Sequence, residues 1–370
     1  MSKHEVLDTI IKNGPHLSWM EKNTIFLTVH GSIAYGLNTP ESDIDVRGVC
    51  IPPKEYLHGF NKTFDQAILE APHPDCTIFS LKKFFSLTSA NNPNTLELLF
   101  VEPEDHIYVG DIGRILLDNR DAFLSKLIKE RYIGYSKAQA HRIKNHRRWL
   151  LNPVEAPPSR QEMGLPEKPQ IEKNQFDAIK ALIRTKLDSW TPDFEPFSDS
   201  QKIYLQGKVS DILSEMEITR DDSWAAAART IGLDDNIVHI IKKEKEFENK
   251  LEDWGNYLKW KKSRNPKRAA MEAKFGFDLK HGCQLARLLD LGKIALETGK
   301  LPVKVSTTDR EKLMAIKTGG WTFDQLIEYA DKIEEEVKEA YKNSKLLNQP
   351  NINFLDKLCG QLTEMSLERE

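Results

Sequence analysis

Two short apolar runs, separated by a stretch rich in turn-forming residues, constrain the fold of this chain more than any other feature. The first run, Thr24 to Val29, is largely apolar and β-branched, and it ends at the turn-prone His30-Gly31-Ser32. A second strand is predicted at about Ile44–Ile51. The intervening residues, Tyr35 to Ser42, include Gly, Asn, Pro and Ser and predict an irregular loop.

A third strand followed by a patterned helix extends this α/β region over roughly residues 20–105. The strand is predicted at Thr77-Ile78-Phe79, and Ser80 is placed to cap the helix that follows it. Four residues share one face of that helix: Leu81, Phe84, Phe85 and Thr88.

The rest of the chain is predicted to be mainly helical. A stretch at 152–173 holds five prolines and predicts a loop or linker within the second zone, roughly residues 106–270. The third zone contains a helix with one buried stripe at 3,4 spacing. The stripe consists of Phe323, Leu326, Ile327, Ala330, Ile333, Val337, Ala340 and Tyr341. No internal repeat of 20–50 residues is visible, which argues against a solenoid.

Composition is that of an ordinary globular protein. The 370 residues allow two or three domains, and 39% are hydrophobic and 29% charged. No segment approaches the length of apolar chain that a membrane span needs, and the polar N-terminus lacks the features of a secretory signal, so a cytoplasmic protein is expected. The formal net charge of −3 does not indicate a nucleic-acid partner.

The four cysteines are far apart in the sequence and form no C-x-x-C pair. They are Cys50, Cys76, Cys283 and Cys359. This spacing argues against a zinc site and against a disulfide framework, and it predicts reduced thiols with packing roles.

The chemistry is predicted to lie in the segment from His30 to Val49. Successive strand residues point to opposite faces, so Asp43 and Asp45 are predicted to share one face while Ile44 and Val46 point into the core. Two adjacent carboxylates repel each other unless a cation neutralises them, and oxygen ligands suit Mg²⁺.

Gly31-Ser32 is the other half of the predicted site. Glycine lets the backbone approach a triphosphate closely, and free N–H groups with a hydroxyl can hold the phosphate oxygens. Each signal is weak alone. An apolar strand, Gly-Ser, a ten-residue loop and Asp-x-Asp in this order are together a specific combination.

These residues resemble the signature of the DNA polymerase β nucleotidyltransferase superfamily. The longer string GSIAYGLNTPESDIDVRGV resembles its YcgL-like or RNA-ligase-associated branch of bacteria and phages. Three later segments resemble the same group. They are residues 80–100, 132–143 and 264–289.

The resemblance implies a third metal-binding carboxylate on a neighbouring strand. Asp75 is the matching position, and it would also help to deprotonate the acceptor hydroxyl. Asp65 or Glu70 could serve instead, and a purely local turn role for Asp75 stays open. Glu97 is a further acidic candidate, but the surrounding sequence favours a structural role in which it caps a helix or pairs locally.

Two residues near the Asp-x-Asp pair are predicted to contact the nucleotide. Arg47 shares the strand face of Asp43 and Asp45, where it could bind a phosphate or form an ion pair with either carboxylate. Tyr35 could stack on the base.

Two basic stretches stand out from the near-neutral average. One holds Lys137, His141, Arg142, Lys144, His146, Arg147 and Arg148. The other, Lys259 to Arg268, contains six Lys or Arg in ten positions and follows Trp254, Tyr257 and Trp260. Basic residues interleaved with aromatics are typical of single-stranded nucleic-acid binding, but a solvated helix face has the same pattern.

A helix face near residue 280 is a third candidate. Lys280, Gln284 and Arg287 are spaced for one face, which could hold triphosphate oxygens opposite the metals. The resemblance implies nucleotide-binding roles for Lys280, His281 and Arg287, and for Lys137 and Gln139. Surface ion pairs or helix packing are the alternatives.

The sequence therefore predicts an α+β protein. A nucleotidyltransferase core at 1–105, with a small mixed sheet, is followed at 106–370 by a largely helical domain. The expected activity moves a nucleoside monophosphate from an NTP, with ATP as the expected donor, using Mg²⁺ or Mn²⁺. RNA, through a 3′ end or a tRNA, is the expected acceptor from the resemblance. A protein or small-molecule acceptor, or a non-catalytic nucleic-acid-binding module, are the alternatives, and the oligomeric state is left open.

Overall fold

A computed structural model of the chain describes residues 2–69, 75–190, 227–264 and 266–369. Strands and helices are numbered along the chain. The strands are β1 (Thr24–His30), β2 (Asp45–Cys50), β3 (Gln66–Leu69), β4 (Cys76–Ser80) and β5 (His106–Val109). The helices of the first half are α1 (Lys3–Asn13), α2 (Met20–Asn23), α3 (Gly31–Ala34), α4 (Lys54–His58), α5 (Leu81–Ser89), α6 (Pro93–Leu96), α7 (Asp111–Asp118), α8 (Leu127–Leu151) and α9 (Lys173–Trp190). Those that follow are α10 (Asp235–Ser263), α11 (Pro266–Phe275), α12 (Leu279–Thr298), α13 (Thr307–Thr318), α14 (Phe323–Asn343) and α15 (Ile352–Leu367).

The strands form one mixed sheet in the order β3-β4-β2-β1-β5. The β2 and β4 strands are parallel, and the other neighbouring pairs are antiparallel. The three predicted strands correspond to β1, β2 and β4 at the centre of the sheet. Strands β3 and β5 were not predicted from the sequence; each is only four residues long, and they form the two edges of the sheet. The predicted α+β class is confirmed.

Both faces of the sheet are covered, which explains why β1 is apolar along most of its length. Leu27, Val46 and Ile78 pack in one cluster with residues of α1. Phe26 and Val49 belong to the second and larger cluster, which includes α5 and α12. A strand buried on both faces cannot alternate between apolar and polar residues.

Helix α5 forms as its sequence predicts. The Ser80 side chain accepts a hydrogen bond from the backbone N–H of Lys83 at 3.2 Å, which satisfies one free donor of the first turn. The buried residues of the helix are the four predicted ones: Leu81, Phe84, Phe85 and Thr88.

The later helices also match the sequence pattern. No helix or strand interrupts residues 152–172 between α8 and α9, where the proline-rich loop is predicted. In α14 the buried residues are Leu326, Ala330, Ile333, Val337 and Ala340, all from the predicted stripe.

The chain divides into two compact units. One unit combines Met1–Leu150 with Lys267–Glu370, and the other is Leu151–Pro266. The boundary predicted at residue 105 falls inside the first unit. One reason is that β5, which follows residue 105, pairs with β1. The other is that α12 has twelve buried residues and packs against α13 and α14 in the same unit.

None of the helices in the described ranges is long and apolar enough to cross a membrane. The four cysteines are free thiols, and Cys50, Cys76 and Cys283 are buried. Burial raises the pKa of the Cys283 thiol to about 11. These cysteines have the packing role that their spacing predicts.

Candidate active site

The Gly31 turn and the Asp45 carboxylate lie side by side. Antiparallel pairing places His30, the last residue of β1, opposite Asp45, the first residue of β2. Gly31 follows with φ of +65°, a conformation that favours glycine. A Cβ at this position would approach Asp45 Oδ2 to within 2.0 Å. The carboxylate therefore occupies the space that a side chain at residue 31 would need.

Parallel pairing of β2 with β4 brings Asp75 beside Asp45. Val46 pairs with Cys76, and the N–H of Val46 donates to the Asp75 carbonyl at 2.8 Å. The side chain of Asp75 accepts two hydrogen bonds from the Arg47 guanidinium, at 3.2 and 3.1 Å. Arg47 thus forms its ion pair with Asp75 and not with Asp43 or Asp45.

The other candidates for the third carboxylate differ in position. The Asp65 carbonyl accepts from the N–H of Ser80, so Asp65 lies at the opposite end of β4 from Asp75. Its carboxylate is 74% exposed and lies 3.8 Å from Lys83. Glu70 lies outside the described residues.

Two details of the Asp-x-Asp segment differ from the alternation that a continuous strand predicts. Asp43 is exposed and precedes β2. Ile44 is 42% exposed and does not point into the core, whereas Val46 is fully buried as predicted. The strand begins only at Asp45, because pairing with β1 ends at His30, so side chains before that point are not held in strand alternation.

Burial and four neighbouring charges together shift the pKa of Asp45. Its pKa is raised by burial and by the negative charges of Asp75 and Asp43, while the positive charges of Arg47 and Lys280 oppose this rise. Two further carboxylates and two cationic side chains therefore lie within electrostatic range of Asp45.

A divalent cation fits the chemistry of these donors. Carboxylate oxygens are the ligands that Mg²⁺ prefers, and close carboxylates gain stability when a cation neutralises them. Across the described ranges, no three His, Cys, Asp or Glu side chains converge closely enough to hold a metal ion together. At this site, Arg47 forms an ion pair with the Asp75 carboxylate. Asp43 and Asp45 are therefore the two carboxylates that could bind a metal ion.

Helix α12 directs one face toward this end of the sheet. Asp278 caps the helix, and its carboxylate accepts from the N–H of His281 at 3.0 Å. Lys280 in the first turn is exposed and close enough to influence the pKa of Asp45. Arg287 Nε donates to Gln284 Oε1 at 3.2 Å, so these two residues share a helix face, although Arg287 is buried and Lys280 is exposed.

Arg287 and Tyr35 are buried beneath the site. Arg287 is 2% exposed, and its guanidinium lies 3.7 Å from the centre of the Tyr35 ring. The Tyr35 hydroxyl is 3.3 Å from His30 Nε2. Tyr35 is only 8% exposed, so the predicted stacking on a nucleotide base does not fit this arrangement. Its ring face is already covered by Arg287.

Glu97 is the partner of Arg287. Two hydrogen bonds of 3.0 and 3.3 Å join them across 190 residues of sequence, and Glu97 is 1% exposed. The prediction of a structural role fits, but the prediction of local pairing is wrong. The sequence signal for this buried ion pair was an acidic residue inside the apolar run Leu96 to Leu99. Such a residue needs a buried partner.

The remaining candidates have other partners. Lys137 is 63% exposed and pairs with Glu334 at 3.2 Å, and Gln139 follows on the same helix, α8. His281 lies 3.7 Å from the Asp278 carboxylate and meets the His146 ring edge to face. Lys137 thus makes a surface ion pair and His281 a helix-packing contact, whereas the Gln139 side-chain oxygen is buried with no hydrogen-bond partner among the described residues.

The first basic stretch lies wholly on α8 and is partly engaged there. Arg147 donates to the Gly276 carbonyl at 3.1 Å and lies over the Phe323 ring. His146 is 3.4 Å from Glu272. These two side chains hold α8 to neighbouring helices, so they are not spread along a solvated strip.

The second basic stretch lies at the end of α10 and the start of α11. Asn265 and the side chains of Lys267 and Arg268 lie outside the described residues. The rings of Trp254, Tyr257 and Trp260 follow one another at 5.7 and 5.8 Å. Tyr257 is buried, so this row is not an open stacking surface along its whole length.

The part of the chain that forms this site is similar in sequence to known proteins. Residues 3–154 match the RlaP family model, described as "RNA repair pathway DNA polymerase beta family". A 38.9 kDa protein of Enterobacteria phage T4, from the nrdC-mobD intergenic region and described as uncharacterized, is 31% identical over 129 residues. That alignment covers 32% of this chain and 38% of the phage protein.

No solved structure matches the chain significantly. The family match ends at residue 154, close to the end of α8 and of the first stretch of the sheet-containing unit. It includes Gly31-Ser32, Asp43, Asp45 and Asp75. The family match and the mixed sheet are consistent with each other, and residues 3–154 of this chain are similar in sequence to nucleotidyltransferases of the DNA polymerase β superfamily.

Proposed function

We propose that this protein is a metal-dependent nucleotidyltransferase that moves a nucleoside monophosphate from an NTP, with ATP as donor, to a hydroxyl of RNA. The observation that carries this proposal is the contact between Gly31 and Asp45. The glycine turn has no side chain, and the Asp45 carboxylate fills that space. A phosphate-binding turn and a metal-binding carboxylate are thus next to each other, as transfer of a phosphoryl group requires.

The side chains around this contact have distinct roles in the proposal. Gly31 and Ser32 bind the triphosphate through backbone N–H groups and a hydroxyl. Lys280, which is exposed and acts on Asp45 through its charge, binds the phosphates from the α12 side. Each of these groups compensates charge that develops on the leaving pyrophosphate.

Asp43 and Asp45 would hold the metal. A bound Mg²⁺ or Mn²⁺ supplies positive charge to the phosphate oxygens and orients them for in-line displacement. Asp75 lies next to Asp45 and receives the proton of the acceptor hydroxyl. Arg47 holds Asp75 by two hydrogen bonds, which fix the direction of the carboxylate.

RNA is the proposed acceptor because the family that residues 3–154 match is described as part of an RNA repair pathway. The basic residues of α8 and of the end of α10 add local positive charge that the overall net charge of −3 conceals. An RNA 3′ end carries the hydroxyl that the reaction needs.

The test is incubation of the full chain with α-labelled ATP, Mg²⁺ or Mn²⁺, and RNA ending in either a 3′-hydroxyl or a 3′-phosphate. We expect label only on the RNA with the free hydroxyl. Asp45→Asn and Asp43→Asn should each reduce incorporation by at least about 100-fold, the order expected for losing a key electrostatic group. Asp118→Asn, at an exposed position of α7, should keep wild-type incorporation.

The outcomes separate the parts of the proposal. Label found only on protein or on a free small molecule would overturn RNA as the acceptor and retain nucleotidyl transfer. The absence of label in every fraction, with no Mn²⁺ bound in electron paramagnetic resonance titrations, would overturn the enzyme itself.

A further inference from the structure

Three consecutive backbone carbonyls at the start of the loop between Gly31-Ser32 and Asp43 are held from one side. The N–H of Val305 donates to the Tyr35 carbonyl at 3.2 Å. Arg310 Nε donates to the Gly36 carbonyl at 2.8 Å, and Lys317 Nζ donates to the Leu37 carbonyl at 2.5 Å. We call Val305, Arg310 and Lys317 the carbonyl clamp.

The clamp comes from α13 and the segment before it, far from the loop in sequence. Arg310 and Gly36 are 274 residues apart, and Lys317 and Leu37 are 280 apart. Both clamp side chains lie beyond residue 154, where the family match ends. The loop that joins the two halves of the site is therefore fixed by a part of the chain that the family model does not cover.

The rest of the loop has little freedom once the clamp is in place. Leu37 is 3% exposed and anchors the loop in the core. The N–H of Thr39 donates to Ser42 Oγ, and the N–H of Ser42 donates to the Thr39 carbonyl, both at 2.9 Å. Asp43 follows this turn directly, so a shift of residues 36 and 37 reaches the carboxylate through a short and constrained path.

The chemistry of the clamp suits positioning better than stabilisation. Arg310 is exposed, and a single hydrogen bond at an exposed site contributes little to the free energy of folding, about 0.5–1.5 kcal/mol. Lys317 is half-buried, and its pKa is lowered by burial and by the charge of Lys280.

We propose that Arg310 and Lys317 are positioning residues for nucleotidyl transfer. By holding the carbonyls of Gly36 and Leu37, they set the path of the loop that leads to Asp43, and so the separation between the Asp43 carboxylate and the Gly31-Asp45 contact that strand pairing fixes. This inference rests on the proposed function, because it assigns these residues to the same site.

The experiment compares Arg310→Met and Lys317→Met, which keep side-chain length but remove the donor, with the conservative variants Arg310→Lys and Lys317→Arg. Glu311→Ala, exposed on the same helix, and Lys332→Met, at a 72% exposed lysine of α14, are the controls. Amide hydrogen exchange of residues 36–44, Mn²⁺ binding in the presence of ATP, and the kcat and KM of transfer are measured on the full chain.

We expect the methionine variants to speed exchange of residues 36–44 by about tenfold, the equivalent of one lost hydrogen bond. Their kcat should fall about 10–100-fold while KM for ATP changes less than about threefold, since a misplaced group acts on the transition state. Mn²⁺ binding should weaken. The conservative variants should restore most of kcat, and the controls should match wild type in every measurement.

Unchanged exchange in the methionine variants would show that the clamp does not hold the loop, whatever the activity of the protein. Faster exchange with unchanged Mn²⁺ binding and unchanged kcat would overturn the positioning role. A parallel loss of kcat and melting temperature that the conservative variants do not rescue would also overturn it. If wild type neither binds Mn²⁺ nor transfers label, the proposed function fails instead, and the exchange measurement still decides whether the clamp exists.

Discussion

At Gly31 the chain needs both a left-handed backbone and an empty position for a neighbouring carboxylate. Gly31→Ala places a Cβ within 2.0 Å of Asp45 Oδ2 at a φ of +65°. The conformation alone costs about 1–2 kcal/mol for a residue with a side chain. We expect a lower melting temperature and loss of transfer together, because Asp45 must move. Gly134→Ala is the control, since an added Cβ in α8 meets nothing within 4 Å and alanine favours a helix.

The buried ion pair of Glu97 and Arg287 gives a second prediction for single residues. Glu97→Gln or Arg287→Met leaves one buried charge without compensation, and each should lower the free energy of unfolding by about 3–5 kcal/mol. The double variant should lose less than the sum of the two single losses, because neither charge remains. Urea denaturation measures all three values. Additive losses would show that the two side chains do not interact.

His30 gives a dependence of stability on pH. Burial, with the charges of Arg47 and Arg287, lowers the pKa of His30 from 6.5 to about 3, so the ring is neutral in the folded protein. Below pH 6.5 the unfolded chain binds this proton and the folded chain does not. Stability therefore falls with pH from 6.5 toward 3, by up to about 1.4 kcal/mol per pH unit. Denaturation at pH 7 and pH 5 should show a steeper loss for wild type than for His30→Gln, and equal slopes would contradict the assignment.

Among the elements, α5 is where sequence and structure agree most closely. Its cap, its buried face and its start all follow from local chemistry, since a serine side chain satisfies a free N–H and apolar residues recur at helical spacing. By contrast, β3 and β5 have four residues each, and such short runs carry too little periodic signal to be recognised without their partners.

The cap of α5 can be tested directly. Ser80→Ala removes the acceptor for the Lys83 N–H and should lower the free energy of unfolding by about 1 kcal/mol. Ser86→Ala, at an exposed position inside the same helix, should be neutral or slightly stabilising. Thermal and urea unfolding of both variants would check this, and equal effects would mean that the cap does not contribute.

For the whole molecule, the sheet-containing unit is built from two separate stretches of chain. Residues 3–154 include the whole sheet, but α12 to α15 supply much of the larger core cluster and the buried partner of Glu97. The fragment 1–154 would expose that apolar surface and leave Glu97, within the apolar run Leu96 to Leu99, without its partner.

We therefore expect the fragment 1–154 alone to lack a cooperative unfolding transition, and the full chain to show one. Circular dichroism during thermal unfolding, together with dye binding to exposed apolar surface, measures this. Adding the fragment 267–370 should restore cooperativity at least in part. A cooperative transition of 1–154 alone would show that the later helices are dispensable for its fold.

The sequence by itself determined the centre of the sheet, the helix α5, the proline-rich loop and the residue types of the candidate site. These depend on neighbours within a few positions, where strand alternation, helix spacing and glycine at a turn act locally. Only the tertiary structure decided that Arg47 pairs with Asp75, that Tyr35 is covered by Arg287, and that Glu97 meets Arg287 across 190 residues. The physical reason is that a buried charge must find a partner in space, and the chain brings such partners together only after its separate stretches have packed.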